Sequence, residues 1–523
     1  MGTHRPANEF DVIAFNLSAE LTFTNVLNCI DLADVPLRAA DRTASHPLVG
    51  AGGHCTTNPE PLADFLDFVV LGDGEEVVGE LTEVIGCWKR SSSDDRQALL
   101  EELATVEGVY VPSLYEPIYS AEGDLVETVP LAASAPDVIE KRTVADLAAW
   151  PYPRNQLVPL TEVVHDRLIV EVFRGCTRGC RFCQAGMITR PVRERAGHDG
   201  VAVTSLATAD FSGIRPGVDG IRADPISAGQ VSVSLPRLRV EAFTVGLATS
   251  IRQGRRTGLT FAPEAGTWRM RQIINKLIRE EDRYEAVESA YSEGWRRMKL
   301  YFLTGLPSET DEDTLGIATL ARKCVEIGKK YHKYPSVTVS VGGFVPKSNT
   351  PFQWFGQNTV TELQRKIYLL RDELRRDHGV QLKWHDPKTT LIEGVFSRGD
   401  RRLGDVLESV WRTGGTFQEW TEYFELERWE TALAEAGLSP EYYANRHRHI
   451  DEALPWDHLS AGLHKDFLAQ DWADALAEVG LPDCRWTPCY DCGACTGYGI
   501  EHVVASAVPP AGGSQGTGQN VTS

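Results

Sequence analysis

Apolar and polar positions along the first hundred residues alternate between two periods. From Asp11 to about Tyr115, short apolar runs (DVIAFNL, PLVGAGG, DFVVL) are separated by stretches with helical spacing (TFTNVLNCIDLAD, EVVGELTEVIGCWKR). This pattern predicts a parallel sheet flanked by helices, with ligand-facing turns at the carboxyl ends of the strands. Gly52 with Gly53, and Gly72 with Gly74, fall at those turns. Turn chemistry alone also accounts for them, and neither turn is a GxGxxG dinucleotide fingerprint.

Residues 116–165 carry six prolines and only short apolar stretches, which predicts a connector with hairpin turns rather than a domain. A second alternating series follows, with candidate strands at 168–173, 201–206, 231–235, 258–262, 298–303 and 337–341. Helical patterns such as TWRMRQIINK, REEDRYEAVESAYSEG and SETDEDTLGIATLARKCVEIGKK separate the later ones. Repeated strand and helix units of this length predict a full or partial (β/α) barrel, with chemistry at the carboxyl ends of its strands. From about Ser397 to Leu481 the pattern is mainly helical and rich in Trp, Arg and Glu. The tail after Ser506 has no apolar periodicity and is expected to be disordered.

Composition narrows the class. The 523 residues suffice for about three domains, and 42% hydrophobic with 24% charged residues is an ordinary globular balance. No apolar run approaches the length of a membrane helix and MGTHRPANEF lacks a secretory core, so a cytoplasmic protein with no membrane partner is expected. A net charge of −20, from 53 basic and 73 acidic residues, disfavours broad nucleic-acid binding.

The cysteines change the picture most. Eleven cysteines without an export signal fit thiol or metal chemistry better than a disulfide framework. Cys29, Cys55, Cys87 and Cys324 stand singly in apolar or helical sequence, as small hydrophobes do. The other seven form two groups: Cys176, Cys180 and Cys183 in GCTRGCRFCQAG, and Cys484, Cys489, Cys492 and Cys495 in DCRWTPCYDCGAC. CxxxCxxC on one loop can turn three thiolates toward one point. Structural zinc takes a fourth ligand, for which His165 and His198 are conceivable, whereas a 4Fe-4S cluster held by three cysteines leaves one iron open. CxxxxCxxCxxC supplies four thiolates within a dozen residues, fit for a second 4Fe-4S cluster or a zinc ion, with Trp486 and Tyr490 as shields.

The first run resembles the CxxxCxxC loop of the radical S-adenosylmethionine (SAM) superfamily, including the aromatic Phe182 between its second and third cysteines. The resemblance implies that Cys176, Cys180 and Cys183 ligate a 4Fe-4S cluster whose open iron is chelated by SAM. One electron, from a reductant such as flavodoxin or ferredoxin, would cleave SAM to methionine and a 5′-deoxyadenosyl radical that abstracts hydrogen from an unknown substrate. FAPEAGTWRMRQIINK, KLYFLTGLPSETDED and VSVGGFVPKSNTPFQW are similar to the later strands of the elongator and methylthiotransferase-like branch, so the likeness covers about residues 168–385. It implies that Glu264 and Ser234 contact the methionine or ribose part of SAM, that Gly305 lies near adenine, and that Arg237 neutralises the methionyl carboxylate. Taken alone, Glu264 also reads as a solvated or helix-capping carboxylate, Ser234 as an ordinary strand serine and Arg237 as a surface arginine.

GGHCTTNPEPLADFLDFVVLGDGEE is similar to the end of the cobalamin-binding-type domain that precedes the barrel in many of these proteins. The whole chain resembles an uncharacterised bacterial subfamily with that domain, a radical SAM core and a cysteine-rich extension. The DxHxxG motif that supplies a cobalt ligand is absent and the region begins partway into the expected fold, which leaves cobalamin doubtful.

The expected architecture is therefore α/β. A partial Rossmann-like, cobalamin-binding-type domain (1–115) and a connector (116–165) precede a partial (β/α)6 radical SAM barrel (166–396). A mainly helical extension (397–482), the four-cysteine motif (483–499) and a disordered tail (500–523) complete it. One departure concerns the barrel: 17 residues, 184–200, separate Cys183 from the next strand, which leaves little for a crossover helix. The next crossover carries Pro216 and Pro225. Either the barrel lacks its first outer helix or its activity is impaired. Two other functions remain open, a non-catalytic iron–sulfur electron-transfer protein and an RNA- or ribosome-modifying radical SAM enzyme; the acidic balance disfavours the second.

Overall fold

The computed structural model describes residues 4–151, 170–171, 173–195, 203–204, 259–485 and 489–500. Four amino-terminal strands, β1 (Val12–Asn16), β2 (Leu48–Gly52), β3 (Phe68–Val70) and β4 (Val109–Tyr110), form one sheet in that order. The first two pairs are parallel and the last is antiparallel. The inner strand β2 reads as almost wholly apolar because both of its faces are covered. Helix Phe23–Leu32 covers the sheet with Phe23, Val26, Leu27 and Ile30, and Val77–Ser91 with Val77, Leu81 and Ile85, the three-and-four spacing of one helical face.

The same core continues into the carboxyl-terminal half. Leu403, Val406, Leu407 and Val410 of helix Leu403–Arg412, together with Trp429 and Tyr443, belong to the apolar cluster built on the amino-terminal sheet. The helical extension, expected as a segment of its own, thus completes the first domain. Burial explains the fusion, since a four-stranded sheet needs cover that its own helices do not supply.

The connector forms the expected hairpin, Tyr115–Tyr119 with Leu125–Pro130. Beyond it, Ile139–Glu140 pairs with Leu459–Ser460, tying the connector to the carboxyl-terminal half.

The second sheet is parallel throughout and runs in chain order through Leu259–Glu264, Arg297–Thr304, Ser336–Gly343 and Val380–Trp384. Helices Glu280–Ser292, Asp311–Lys329 and Val360–Leu374 make the crossovers. Thr310 and Asp313 close a reciprocal capping box at the start of the second of them. The last strand adds to the expected set, because VQLKW on a sheet edge keeps most of its side chains in contact with solvent. Val170–Glu171 pairs in parallel with Val203–Thr204, consistent with the first two barrel strands. The strand expected at 231–235 lies outside the described residues.

The doubt about the first crossover helix is answered in part. After Cys183 the chain forms only the five-residue helix Gln184–Ile188, then turns back so that Arg193–Glu194 pairs antiparallel with Phe173–Arg174. Among the described residues, no helix is long and apolar enough to cross a membrane.

Candidate functional site

The CxxxCxxC loop leaves strand Phe173–Arg174 through Gly175, whose φ of +98° places its backbone where a Cβ would lie 2.5 Å from the Pro191 carbonyl oxygen. Only glycine fits there, and the tight passage fixes how the loop departs. Cys183 caps the helix that ends the loop, its Sγ accepting the Gly186 N–H at 3.3 Å. Burial pushes the Cys183 thiol above its ordinary range, and Cys176 nearby adds to that rise.

Clamps from three parts of the chain hold the loop. Arg181 is fully buried and donates to Asp471 (2.7 Å) and to the carbonyls of Ile273 and Val479. Asn275 donates to the Gly179 carbonyl at 3.0 Å. Gln184 donates to Thr57 Oγ1 and Ser348 Oγ, both at 2.9 Å, and so joins the amino-terminal domain, the loop and the segment after Ser336–Gly343.

An ion network fastens the loop to the first domain. Arg174, two residues before Cys176, pairs with Asp73 (2.6 Å), Glu75 (2.8 Å) and Glu171 (2.9 Å). Asp73 also pairs with buried Arg193 and accepts the Val144 N–H. Burial alone would raise the Asp73 carboxyl, but Arg193 and Arg174 outweigh it and hold the group below its ordinary range.

A cavity of about 790 Å³ opens between these elements. Asn16, His54 and the turn Gly72–Glu75 line it from the carboxyl ends of β1, β2 and β3, and Phe173, Arg174 and Gly175 line it from the start of the cysteine loop. Lys141 and Ser460 close another side. This is the place where open α/β sheets bind ligands. Sequence reasoning singles out the glycines of the two turns but not Asp73, Lys141, Arg174 or Arg193. The acidic run GDGEE and the arginine next to the glycine in FRGC are the available signals.

The residues present fit an iron–sulfur cluster at the loop. None of the three cysteines is in a disulfide, and each is half-buried. Gly186 leaves a bare cradle beneath two of them, since a Cβ there would lie 3.3 Å from Cys183 Sγ and 3.8 Å from Cys176 Cβ. Among the described residues, no three His, Cys, Asp or Glu side chains are gathered closely enough to hold a single metal ion, so neither cysteine group is preformed as a mononuclear site.

The residues assigned to SAM fall unevenly. Glu264 ends its strand at φ +65° and accepts from Lys276 at 3.1 Å, and both groups lie near enough to Cys183 to act on its thiol. Phe182 packs beside the apolar cluster of Ala265, Met270 and Ile273. Gly305 follows Arg297–Thr304 at φ +81°, but its N–H already donates to Glu309 at 2.6 Å. Ser234, Arg237, His165, His198 and Trp486 lie outside the described residues.

Cys484, Cys489, Cys492 and Cys495 line one small pocket, and burial pushes the Cys484 and Cys495 thiols up to about 11. The pocket sits against the first loop, with Cys484 Sγ 3.5 Å from the Thr177 carbonyl oxygen. Tyr490, expected as a shield, stacks on Phe467 beside it.

Residues 1–112 match the family model described as radical SAM proteins, N-terminal. The uncharacterized protein MJ0966 of Methanocaldococcus jannaschii is 27% identical over 412 residues, covering 76% of this chain and 80% of that one. Among solved structures, the chain is similar to the radical SAM methyltransferase TsrM from Kitasatospora setae with cobalamin and a [4Fe-4S] cluster bound. That likeness has 14% identity, 82% and 88% coverage, and a TM-score of 0.44. The cobalamin-dependent SAM radical enzyme OxsB with aqua-cobalamin bound gives 12% identity, 92% and 55% coverage, and a TM-score of 0.30. The amino-terminal match stands beside the CxxxCxxC loop, so both the first 112 residues and the cysteine run are similar to those of radical SAM proteins.

Proposed function

We propose that this chain binds SAM and a substrate and cleaves SAM reductively, with Cys176, Cys180 and Cys183 holding the 4Fe-4S cluster. The observation that carries the reading is that Phe173, Arg174 and Gly175, which lead into the CxxxCxxC loop, line the 790 Å³ cavity, with Arg174 anchored on Asp73. When bound, the cluster would supply the electron that generates the 5′-deoxyadenosyl radical. The chain's own part is to position and to enclose. Gln184 and Arg181 fix the loop, the Gly186 N–H supports the Cys183 sulfur, and Glu264 with Lys276 offers an opposite-charge pair for the polar groups of SAM. The cavity walls exclude water from a substrate entering beside Phe173. The external electron would come from a flavodoxin- or ferredoxin-type reductant.

Cobalamin-assisted chemistry is the second reading, favoured by the position of the cavity at the carboxyl ends of β1 to β3. His54 is the imidazole among the cavity-lining residues. We further read Cys484, Cys489, Cys492 and Cys495 as ligands of a second metal centre, iron–sulfur in preference to zinc because the CxxCxxC core resembles ferredoxin loops. The deciding experiment reconstitutes the full chain with iron and sulfide without oxygen and assays 5′-deoxyadenosine formed from SAM under reduction, with and without added cobalamin. Undiminished product after replacing Cys176, Cys180 and Cys183 by Ala would overturn the main reading. A cobalamin spectrum unchanged by the protein would remove the second.

A further inference from the structure

Arg190 is 1% exposed, and among the described residues its guanidinium meets no carboxylate or carbonyl oxygen at hydrogen-bond distance, its nearest polar neighbours being Tyr490, Cys492 and Cys484. Other fully buried arginines are accommodated: Arg181 by Asp471, Arg193 by Asp73, and Arg398 by backbone carbonyls. An arginine stays protonated in proteins, and an uncompensated buried charge costs several kcal/mol. This guanidinium needs a negative partner. It points into the pocket lined by Cys484, Cys489, Cys492 and Cys495, where the Tyr490 hydroxyl and the thiols of Cys492 and Cys484 face it most closely. The Tyr490 hydroxyl is likewise buried, with the Cys484 thiol as its polar neighbour. Two carboxylates lie near: Asp471 acts on the group but is bound to Arg181, and Asp491 lines the pocket while accepting from Thr496 Oγ1 at 3.0 Å.

The pocket encloses about 10 Å³, room for roughly one water-sized sphere. The groups that line it most densely are the four cysteines, so the missing charge can come from the walls. Four thiolates around a divalent ion or an iron–sulfur cluster carry a net negative charge, whereas four thiols carry none. We propose that Arg190 is the buried counter-charge of an anionic tetrathiolate metal centre formed by Cys484, Cys489, Cys492 and Cys495. The same guanidinium borders the first loop, since a Cβ on Gly179 would lie 3.2 Å from Arg190 Nη2 and 3.7 Å from the Tyr490 hydroxyl. Arg190 is therefore a positioning residue at the junction of the two cysteine groups. The inference rests on the reading that the four carboxyl-terminal cysteines bind metal, and it is independent of whether SAM is cleaved.

The test uses the full chain carrying C176A, C180A and C183A, so that any metal signal comes from the second group. One portion is loaded with iron and sulfide and another with zinc. If the centre is iron–sulfur, R190M shifts its reduction equilibrium about tenfold toward the oxidised form, a midpoint about 59 mV lower for one electron, and R190K stays near the parent. If it is zinc, R190M releases the ion to a chelator about tenfold faster. A third measurement covers the case in which R190M folds poorly: removing metal lowers the melting temperature more when Arg190 is present than in R190Q, because only then is a charge left stranded. Unchanged midpoint and zinc release in R190M overturn the role of Arg190. Metal content unaltered by further replacement of the four carboxyl-terminal cysteines overturns the second centre itself. SAM cleavage by the otherwise unaltered chain, assayed separately, reports on the main functional reading alone.

Discussion

The two cysteine groups lie side by side yet are built in opposite ways. Cys176, Cys180 and Cys183 follow Gly175, which lines a 790 Å³ cavity, while Cys484, Cys489, Cys492 and Cys495 line a pocket of about 10 Å³. Three cysteine ligands leave a coordination position for something that reacts; four leave none. The surroundings follow the same division. The first loop is held by paired charges and hydrogen bonds from several segments, whereas the second faces a cation that meets no carboxylate or carbonyl oxygen among the described residues. Adjacent sites on one chain can thus be told apart by what is already satisfied around them.

The largest effect expected from breaking this comparison is the loss of SAM cleavage to background on replacing Cys176, Cys180 and Cys183 by Ala, read as 5′-deoxyadenosine by chromatography. The same replacement at Cys484, Cys489, Cys492 and Cys495 should cost metal content but leave cleavage with a chemical reductant within about tenfold, or about 1.4 kcal/mol of barrier. Equal losses at the two groups would erase the distinction between open and closed.

Asp73→Asn strands Arg193 and weakens the hold on Arg174, and it should cost about 3–5 kcal/mol in a denaturant titration. The acid response sharpens this. Asp73 is held below its ordinary range in the folded protein, so its contribution is present above the unfolded value, near about 4, and is lost as pH falls through the folded one. The wild-type chain should lose stability more steeply than Asp73→Asn in that acid window. The smallest effect is at Gln184→Ala, which removes two hydrogen bonds and should cost about 1–2 kcal/mol, seen as a lower melting temperature and looser retention of iron at the first loop.

Much of this is legible along the chain. The period-two and helical runs locate β1 to β3 and the helices that cover them, and the two cysteine spacings alone separate an open ligand set from a closed one. Strand Val380–Trp384 escapes although VQLKW alternates apolar and polar residues, because five half-exposed residues on a sheet edge, directly after the charged RRDHG, make too short a run to stand out. The placement of Gly305 near adenine is a fold-level inference, and its N–H is taken by Glu309.

Sequence by itself determined what the chemistry could be, because ligand type and spacing are local properties of a few consecutive residues. The tertiary structure alone decided where that chemistry sits. Asp73 and Arg174, 101 positions apart, meet only on folding. Leu403 to Val410 join a core begun at Val12, since buried apolar area is shared across the chain without regard to order. Arg190 reads as one arginine among many until burial removes its water and leaves its charge facing four sulfurs.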